Sequence, residues 1–406
     1  MHPLNRRPSL FRWHAGWVAL LAAAALAWLG VQALDIADTD YAARQRTYLV
    51  LSMVMGATCL ALKPRHVGHL SYGLFGATLV LLVFLLLPGV PRSIVPTVKG
   101  ARSWIDLGPV HLQPSELTKF SAILALAWFL RYRDSYRSLG GLLVPALIMG
   151  VPAGLVLLQP DLGTAILFGP ALMAMLVVAG ARLRHLVATL VLVVVVVVVN
   201  IVVVMMLPDS MQLLRTHQRD RIKAMIVRTQ QDHRYDRSIN YQQIKAMTLV
   251  GSGRLAGYGP DRTQSIVKFN DVPHDHNDMI FAIIVNRWGL IGGAVVLGLY
   301  LVMVLAIFAV ASQATEPFVR LTAVGFGSIL FVQAAINIAI TLGLLPVTGI
   351  TLPLVSYGGS SLLSTFAAIG IVVNFAAQPP CPLAWPSFEY DRVDAPWRRQ
   401  RAASAS

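Results

Sequence analysis

Pro346-Val347-Thr348-Gly349-Ile350-Thr351-Leu352-Pro353-Leu354-Val355-Ser356-Tyr357-Gly358-Gly359-Ser360-Ser361 is a run of turn formers and hydroxyl side chains between two strongly apolar segments. Two prolines, three glycines and five Ser or Thr residues at this density rule out a single uninterrupted hydrophobic helix. Irregular backbone is tolerated at membrane depth only where protein or a water-filled cavity satisfies its polar groups. Two readings stand here: an ordinary loop outside the membrane, or a stretch near the membrane whose polar groups protein or a water-filled cavity satisfies. The flanking sequence identifies the solvent. Of the 406 residues, 56% are hydrophobic and 13% charged, against about 25% charged in an average soluble protein. Several apolar runs reach 18 residues, enough to cross hydrocarbon as helices, and the alternation of an outer-membrane barrel is absent. The expected fold class is all-α, a polytopic integral membrane protein with about ten transmembrane helices. Cys59 lies inside an apolar run and Cys381 beyond the last one, so no disulfide framework is expected.

The spans read as about 15–34, 47–62, 68–88, 115–131, 140–158, 162–180, 185–206, 279–312, 320–343 and 361–377. The eighth is too long for one straight crossing, so it either projects beyond the hydrocarbon or kinks near Gly289. Short basic loops orient the chain. Arg6, Arg7 and Arg12, Lys63 and Arg65, Arg131, Arg133 and Arg137, Arg182 and Arg184, Arg320, and finally Arg392, Arg398, Arg399 and Arg401 fall on one side. That side is expected to be cytoplasmic, with the N-terminal 1–14 and the tail 378–406. The segment 34–46 is the first expected outer loop, and 89–114, 207–278 and 346–361 also face outward. The loop 207–278 carries eleven Lys or Arg against eight Asp. Its basic surface is either a solvated loop or a site for anionic head groups or a diphosphate.

Five further elements bear on chemistry. Gly100-Ala101-Arg102-Ser103-Trp104 leads towards Gln113-Pro114-Ser115-Glu116-Leu117-Thr118-Lys119. Pro114 and Ser115 start a helix, and Glu116 favours its positive end. Lys119, three residues on, can pair with Glu116 on a face turned away from lipid. The pair is either a functional site or a capped helix with a snorkelling lysine. Asp161, in Gln159-Pro160-Asp161-Leu162-Gly163-Thr164, is a good N-cap for the sixth helix. Gly251-Ser252-Gly253-Arg254 offers spaced glycines, but no Walker lysine and hydroxyl follow. Pro273-His274-Asp275-His276-Asn277-Asp278-Met279-Ile280-Phe281-Ala282 is the densest cluster of catalytic residue types. Asp278 stands where the eighth helix begins, as a cap or as a base between water and low dielectric. Two histidines at i, i+2 do not complete a structural zinc site, and no metal ligands are assigned. Asn337 and Thr341, four apart, share one face of the ninth span; such pairs also simply join helices.

These elements, in this order, resemble the SEDS family of cell-wall polymerases over roughly 15–377. The matching patterns are GAxxW…QPSExxK, QPDLGT, a serine- and glycine-rich outer element, PxxHxDFIFA and the 346–361 signature. The chain departs at Lys245 and Ala246, at Leu249, Arg254 and Met279, and at Asn286 and Arg287, where paired glutamates are usual. The resemblance implies a peptidoglycan glycosyltransferase acting on lipid II at the outer membrane face. It implies Asp278 as the catalytic residue and substrate contacts from Arg102, Glu116, Lys119, Asp161, Lys245, His276, Thr348, Ser356 and Ser360. It also implies a class B penicillin-binding protein as partner, besides membrane lipids, and no nucleic acid. No cofactor is assigned, and a divalent cation, Mg2+ or Mn2+, is left open. A lipid II flippase and a noncatalytic scaffold for a transpeptidase are the alternatives. The combination of Gln159-Pro160-Asp161, Gly251-Ser252-Gly253 and Pro346-Val347-Thr348-Gly349 looks closer to the rod-elongation branch than to division.

Overall fold

The computed structural model describes residues 13–91, 93–96, 102–106, 108, 111–131, 133, 136, 138, 140–191, 195, 241–270 and 278–377. In chain order these form α1 (Ala15–Ala37), α2 (Thr39–Leu60), α3 (Pro64–Leu86), a small antiparallel ribbon of β1 (Ile105–Asp106) and β2 (His111–Leu112), and α4 (Pro114–Leu130). There follow α5 (Leu143–Leu158), α6 (Leu162–Ala179), α7 (Tyr241–Ser252), α8 (Gly259–Asn270), α9 (Ile280–Gln313), α10 (Pro317–Thr341) and α11 (Gly359–Ala377). Seven helices, α1, α3, α5 with its preceding turn, α6, α9, α10 and α11, are long and apolar enough to cross a membrane. Two more belong to the bundle among the described residues: α2, which carries Asp40, Arg44 and Arg46 near its start, and α4, with 17 residues. Nine of the ten expected spans thus have their helix, and most of the seventh lies outside the described residues.

One boundary needs correcting. The segment 34–46 is not a loop: α1 runs to Ala37 and α2 begins at Thr39. Asp38 alone makes the corner, its carboxylate accepting from the backbone N–H groups of Asp40 and Tyr41 as an N-cap does. The polar first turns of α2 stand clear of the apolar run, which is why hydropathy starts the span too late. Arg46 and Asp35 pair across the corner at 2.9 Å.

A helix apolar on all sides belongs inside a bundle. In α4 every residue but Leu117 and Phe129 is buried. It packs on α3, α10 and α5. Aromatic edges lock α4 to α10, with Phe120 on Phe326 at 5.4 Å and Trp128 on Phe318 at 5.2 Å between ring centres. On the other flank α1 lies along α9 and α2 along α11.

The 346–361 stretch is folded back into this bundle. Residues 352–356 and 358–360 are buried. Its irregular carbonyls find donors on three helices. Gln45 of α2 donates to Ser356 O at 3.2 Å and accepts from the Gly358 N–H at 3.3 Å. Gln333 and Asn337 of α10 donate to Thr351 O and Ile350 O at 3.0 and 2.7 Å. The Tyr300 hydroxyl of α9 donates to Pro353 O. Side chains of the bundle thus satisfy these carbonyls.

The long helix α9 does kink, at Gly289, whose backbone leaves the helical region at φ 69°, ψ −168°. The turn after α7 fills the break. Leu290 and Ile291 donate their N–H groups to Arg254 O and Leu255 O at 2.8 and 3.3 Å, and Asn286 O accepts from Tyr258 at 3.0 Å. A Cβ on Gly289 would stand 2.1 Å from Leu255 O, and one on Gly257 would stand 2.2 Å from Arg287 O. Both positions also have positive φ, so glycine is required twice over.

Candidate active site

Asp278 sits just ahead of α9, and three elements meet there. Asn337 donates to its main-chain oxygen at 3.0 Å, and a Cβ on Gly349 would stand 4.0 Å from its Oδ2. The residue is half-buried. The N-cap of α9 is Met279, which makes no side-chain cap bond. The expected cap is therefore one residue out of place.

Beside this lies the start of α4. Gln113 is its N-cap, Pro114 opens the first turn, and Glu116 falls in that turn, as its preference for the positive helix end requires. The Lys119 ammonium meets Glu116 Oε1 at 2.9 Å and Gln333 Oε1 at 2.8 Å. Both members of the pair are almost wholly enclosed. Glu116 Oε2 is buried without a hydrogen-bond partner. Gln333 then donates to Thr351 O at 3.0 Å, so the pair is tied to the folded-back stretch.

Asp161 caps α6, accepting from the Thr164 N–H at 3.0 Å. Its other oxygen faces Gln113 Nε2 at 3.4 Å. Burial pushes the Asp161 carboxyl up from its ordinary range, against the lowering effect of the Thr164 bonds. Ser360 bridges the same corner, its hydroxyl donating to His111 O at 2.9 Å and accepting from the Gln113 N–H at 3.0 Å. Thr348 lies over α6, its carbonyl against Gly163, and its buried hydroxyl has no hydrogen-bond partner.

The other expected residues lie differently. Ser356 accepts from the Leu352 N–H at 2.8 Å, so its hydroxyl closes a turn inside the stretch. Arg102 donates to Leu87 O and Val90 O at 3.3 and 3.2 Å, closing the end of α3. Lys245 stands over the Tyr241 ring, 4.8 Å from its centre. Its neighbour Gln243 fastens α7 to Ile340 O and Leu345 O, both at 2.7 Å. His276 lies outside the described residues. Asn286 is fully buried and donates to Leu249 O and Ser252 Oγ at 3.1 and 2.8 Å, while Arg287 donates to Gln32 O of α1. The two departures from the acidic pattern thus tie the helix break to α7 and α1.

Gln333 was not picked out from the sequence, although it lies four residues before Asn337 as Thr341 lies four after, which extends the polar stripe by a turn. Among the described residues no group of three or more His, Cys, Asp or Glu side chains is placed to hold a metal ion.

A family model described as "Cell cycle protein" (FTSW_RODA_SPOVE) matches residues 13–379. The "Probable peptidoglycan glycosyltransferase FtsW" of Coxiella burnetii is 32% identical over 341 residues, covering 83% of this chain and 86% of that one. The "Peptidoglycan glycosyltransferase MrdB" of Escherichia coli K12 is 34% identical over 277 residues, 68% of this chain and 71% of that one. Among solved structures, a chain from "Structural coordination of polymerization and crosslinking by a peptidoglycan synthase complex" superposes with a TM-score of 0.71 at 31% identity, over 88% of this chain and 96% of that one. The rod shape determining protein RodA of Thermus thermophilus gives 0.61 at 29% identity, over 88% and 95%.

Proposed function

This chain belongs to the FtsW/RodA/SpoVE cell cycle protein family, the SEDS family, and from that premise we propose that it is a peptidoglycan glycosyltransferase that polymerises lipid II. It is a multi-pass membrane protein of all-α fold. Both termini lie on the cytoplasmic side in this reading, and the chemistry takes place at the outer face.

The observation that carries the mechanism is the seating of Asp278 between Asn337 of α10 and Gly349 of the folded-back stretch. Its carboxylate takes the proton from the acceptor sugar hydroxyl as that oxygen attacks the donor's anomeric carbon. The carbon–oxygen bond to the lipid diphosphate breaks, and the diphosphate leaves with the electron pair. General-base assistance of this kind is worth about 10²–10⁴-fold. The leaving diphosphate calls for positive charge, which Lys245 and the basic outer segment supply in this reading, while Lys119, enclosed with Glu116, and Arg102, donating to Leu87 O and Val90 O, hold the fold around it. Asn286 and Arg287 cannot serve as carboxylates, so no auxiliary acid comes from those positions.

The partner is a class B penicillin-binding protein, a reading supported by the synthase complex that this chain resembles in structure. Relatives named FtsW and MrdB match at nearly the same identity, 32% and 34%. A flippase would keep its working charges near the midplane; here they gather at the end of the bundle where Asp278, Glu116, Lys119 and Asp161 lie.

The deciding experiment reconstitutes the purified chain with lipid II, alone and with a class B transpeptidase, and reads both glycan product and head-group translocation. Glycan product is expected. Translocation without glycan would establish the flippase reading. Crosslinking by the partner that needs this chain, with no glycan made by it, would establish the scaffold.

A further inference from the structure

Asn337 is wholly enclosed within α10, yet its side chain serves two other segments. The amide nitrogen donates to Ile350 O at 2.7 Å in the folded-back stretch and to Asp278 O at 3.0 Å ahead of α9. Both hydrogens of the amide are thereby used, which fixes its plane. One turn earlier, Gln333 donates to the next carbonyl, Thr351 O, while receiving Lys119. Consecutive carbonyls of the stretch are thus held by consecutive turns of one helix. One turn later, the Thr341 hydroxyl donates to the carbonyl of Asn337 itself at 3.0 Å. Met279, the N-cap of α9, makes no side-chain cap bond, and the Asn337 amide is bonded to the main chain just ahead of it.

We infer that Asn337 is a positioning residue for polymerisation, holding the Asp278 main chain so that its carboxylate reaches the acceptor hydroxyl. The inference rests on Asp278 acting as the base. A misplacement of about 1 Å at a reacting group costs on the order of 10²-fold in rate, and that sets the size of the effect.

The test compares Asn337→Ala and the shape-keeping Asn337→Leu in the full chain reconstituted with lipid II, each also combined with Asp278→Glu. Turnover should fall by about 10- to 100-fold, with KM within about threefold of wild type. In Asp278→Glu, where the carboxylate is already displaced, the same change should cost far less, because the two act as a unit. Equal losses in both backgrounds, a loss confined to KM, or a folded Asn337→Leu protein with normal turnover would each overturn the inference. So would failure of both Asn337 variants to fold, which would make the residue structural. Wild-type rates from Asp278→Asn would remove the base and this inference together. An inactive Asp278→Asn beside a normal Asn337→Leu would remove this inference alone.

Discussion

The Glu116 carboxylate and the Lys119 ammonium meet at 2.9 Å one turn apart on α4, and neither side chain is open to solvent. Gln333 completes the shell of the ammonium. Enclosed pairs behave asymmetrically: removing one partner strands the other charge, at about 3–5 kcal/mol. Lys119→Ala should therefore lower the amount of folded protein, and adding Glu116→Gln should recover much of it. Detergent-resistant monomer and thermal melting measure this; unchanged melting of Lys119→Ala would show that the pair is not under load.

Asp278→Asn keeps the side-chain shape and removes the base. Glycan synthesis should fall by about 10²–10⁴-fold while membrane levels and melting stay near wild type. Near-normal synthesis would contradict the mechanism.

Gly289→Ala should be among the most damaging single changes in the protein. The added carbon would stand 2.1 Å from Leu255 O, at a backbone φ of 69°. Gly298, further along the same helix, has nothing within 4 Å of an added carbon. Gly298→Ala should melt like the wild type, and a similar melt for Gly289→Ala would refute the docked turn.

Asp161 offers a pH test. Burial raises its carboxyl above the ordinary range, so its contribution to stability is fullest at acid pH and declines as pH rises through the raised value. Asp161→Asn keeps the N-cap and should flatten that dependence, whereas Asp161→Ala should cost about 1 kcal/mol. An unchanged melting profile with pH in Asp161→Asn would exclude this carboxyl as its source.

Topology is checked with cysteines at Ser265 and Ser138, both exposed. An impermeant maleimide should reach Ser265→Cys from outside and Ser138→Cys only after the membrane is opened. Labelling of both from one side would invert or break the assignment.

The spans were legible because hydrocarbon imposes a length, and α9 betrayed its break by exceeding that length at a glycine. Glu116 and Lys119 were legible because i, i+3 neighbours must meet on a helix. Local caps, such as Asp161, could be read in the same way. Gln45, Gln333 and Gln243 were not. A lone glutamine in an apolar run gives no sign of its partner when that partner is a carbonyl such as Ser356 O or Ile340 O, far along the chain. The uses of Arg102 and Ser356 were hidden for the same reason, since both are taken by main-chain groups.

The broken helix also constrains how the protein is made. Until the turn 253–257 is docked, Leu290 and Ile291 lack the acceptors they have in the folded chain, Arg254 O and Leu255 O, and at membrane depth an unpaired N–H costs several kcal/mol. The broken geometry of α9 is therefore favoured only once that turn is in place. Its completion waits on delivery of the preceding segment, so biogenesis carries a built-in order: insertion first, then docking, and only then a finished active centre.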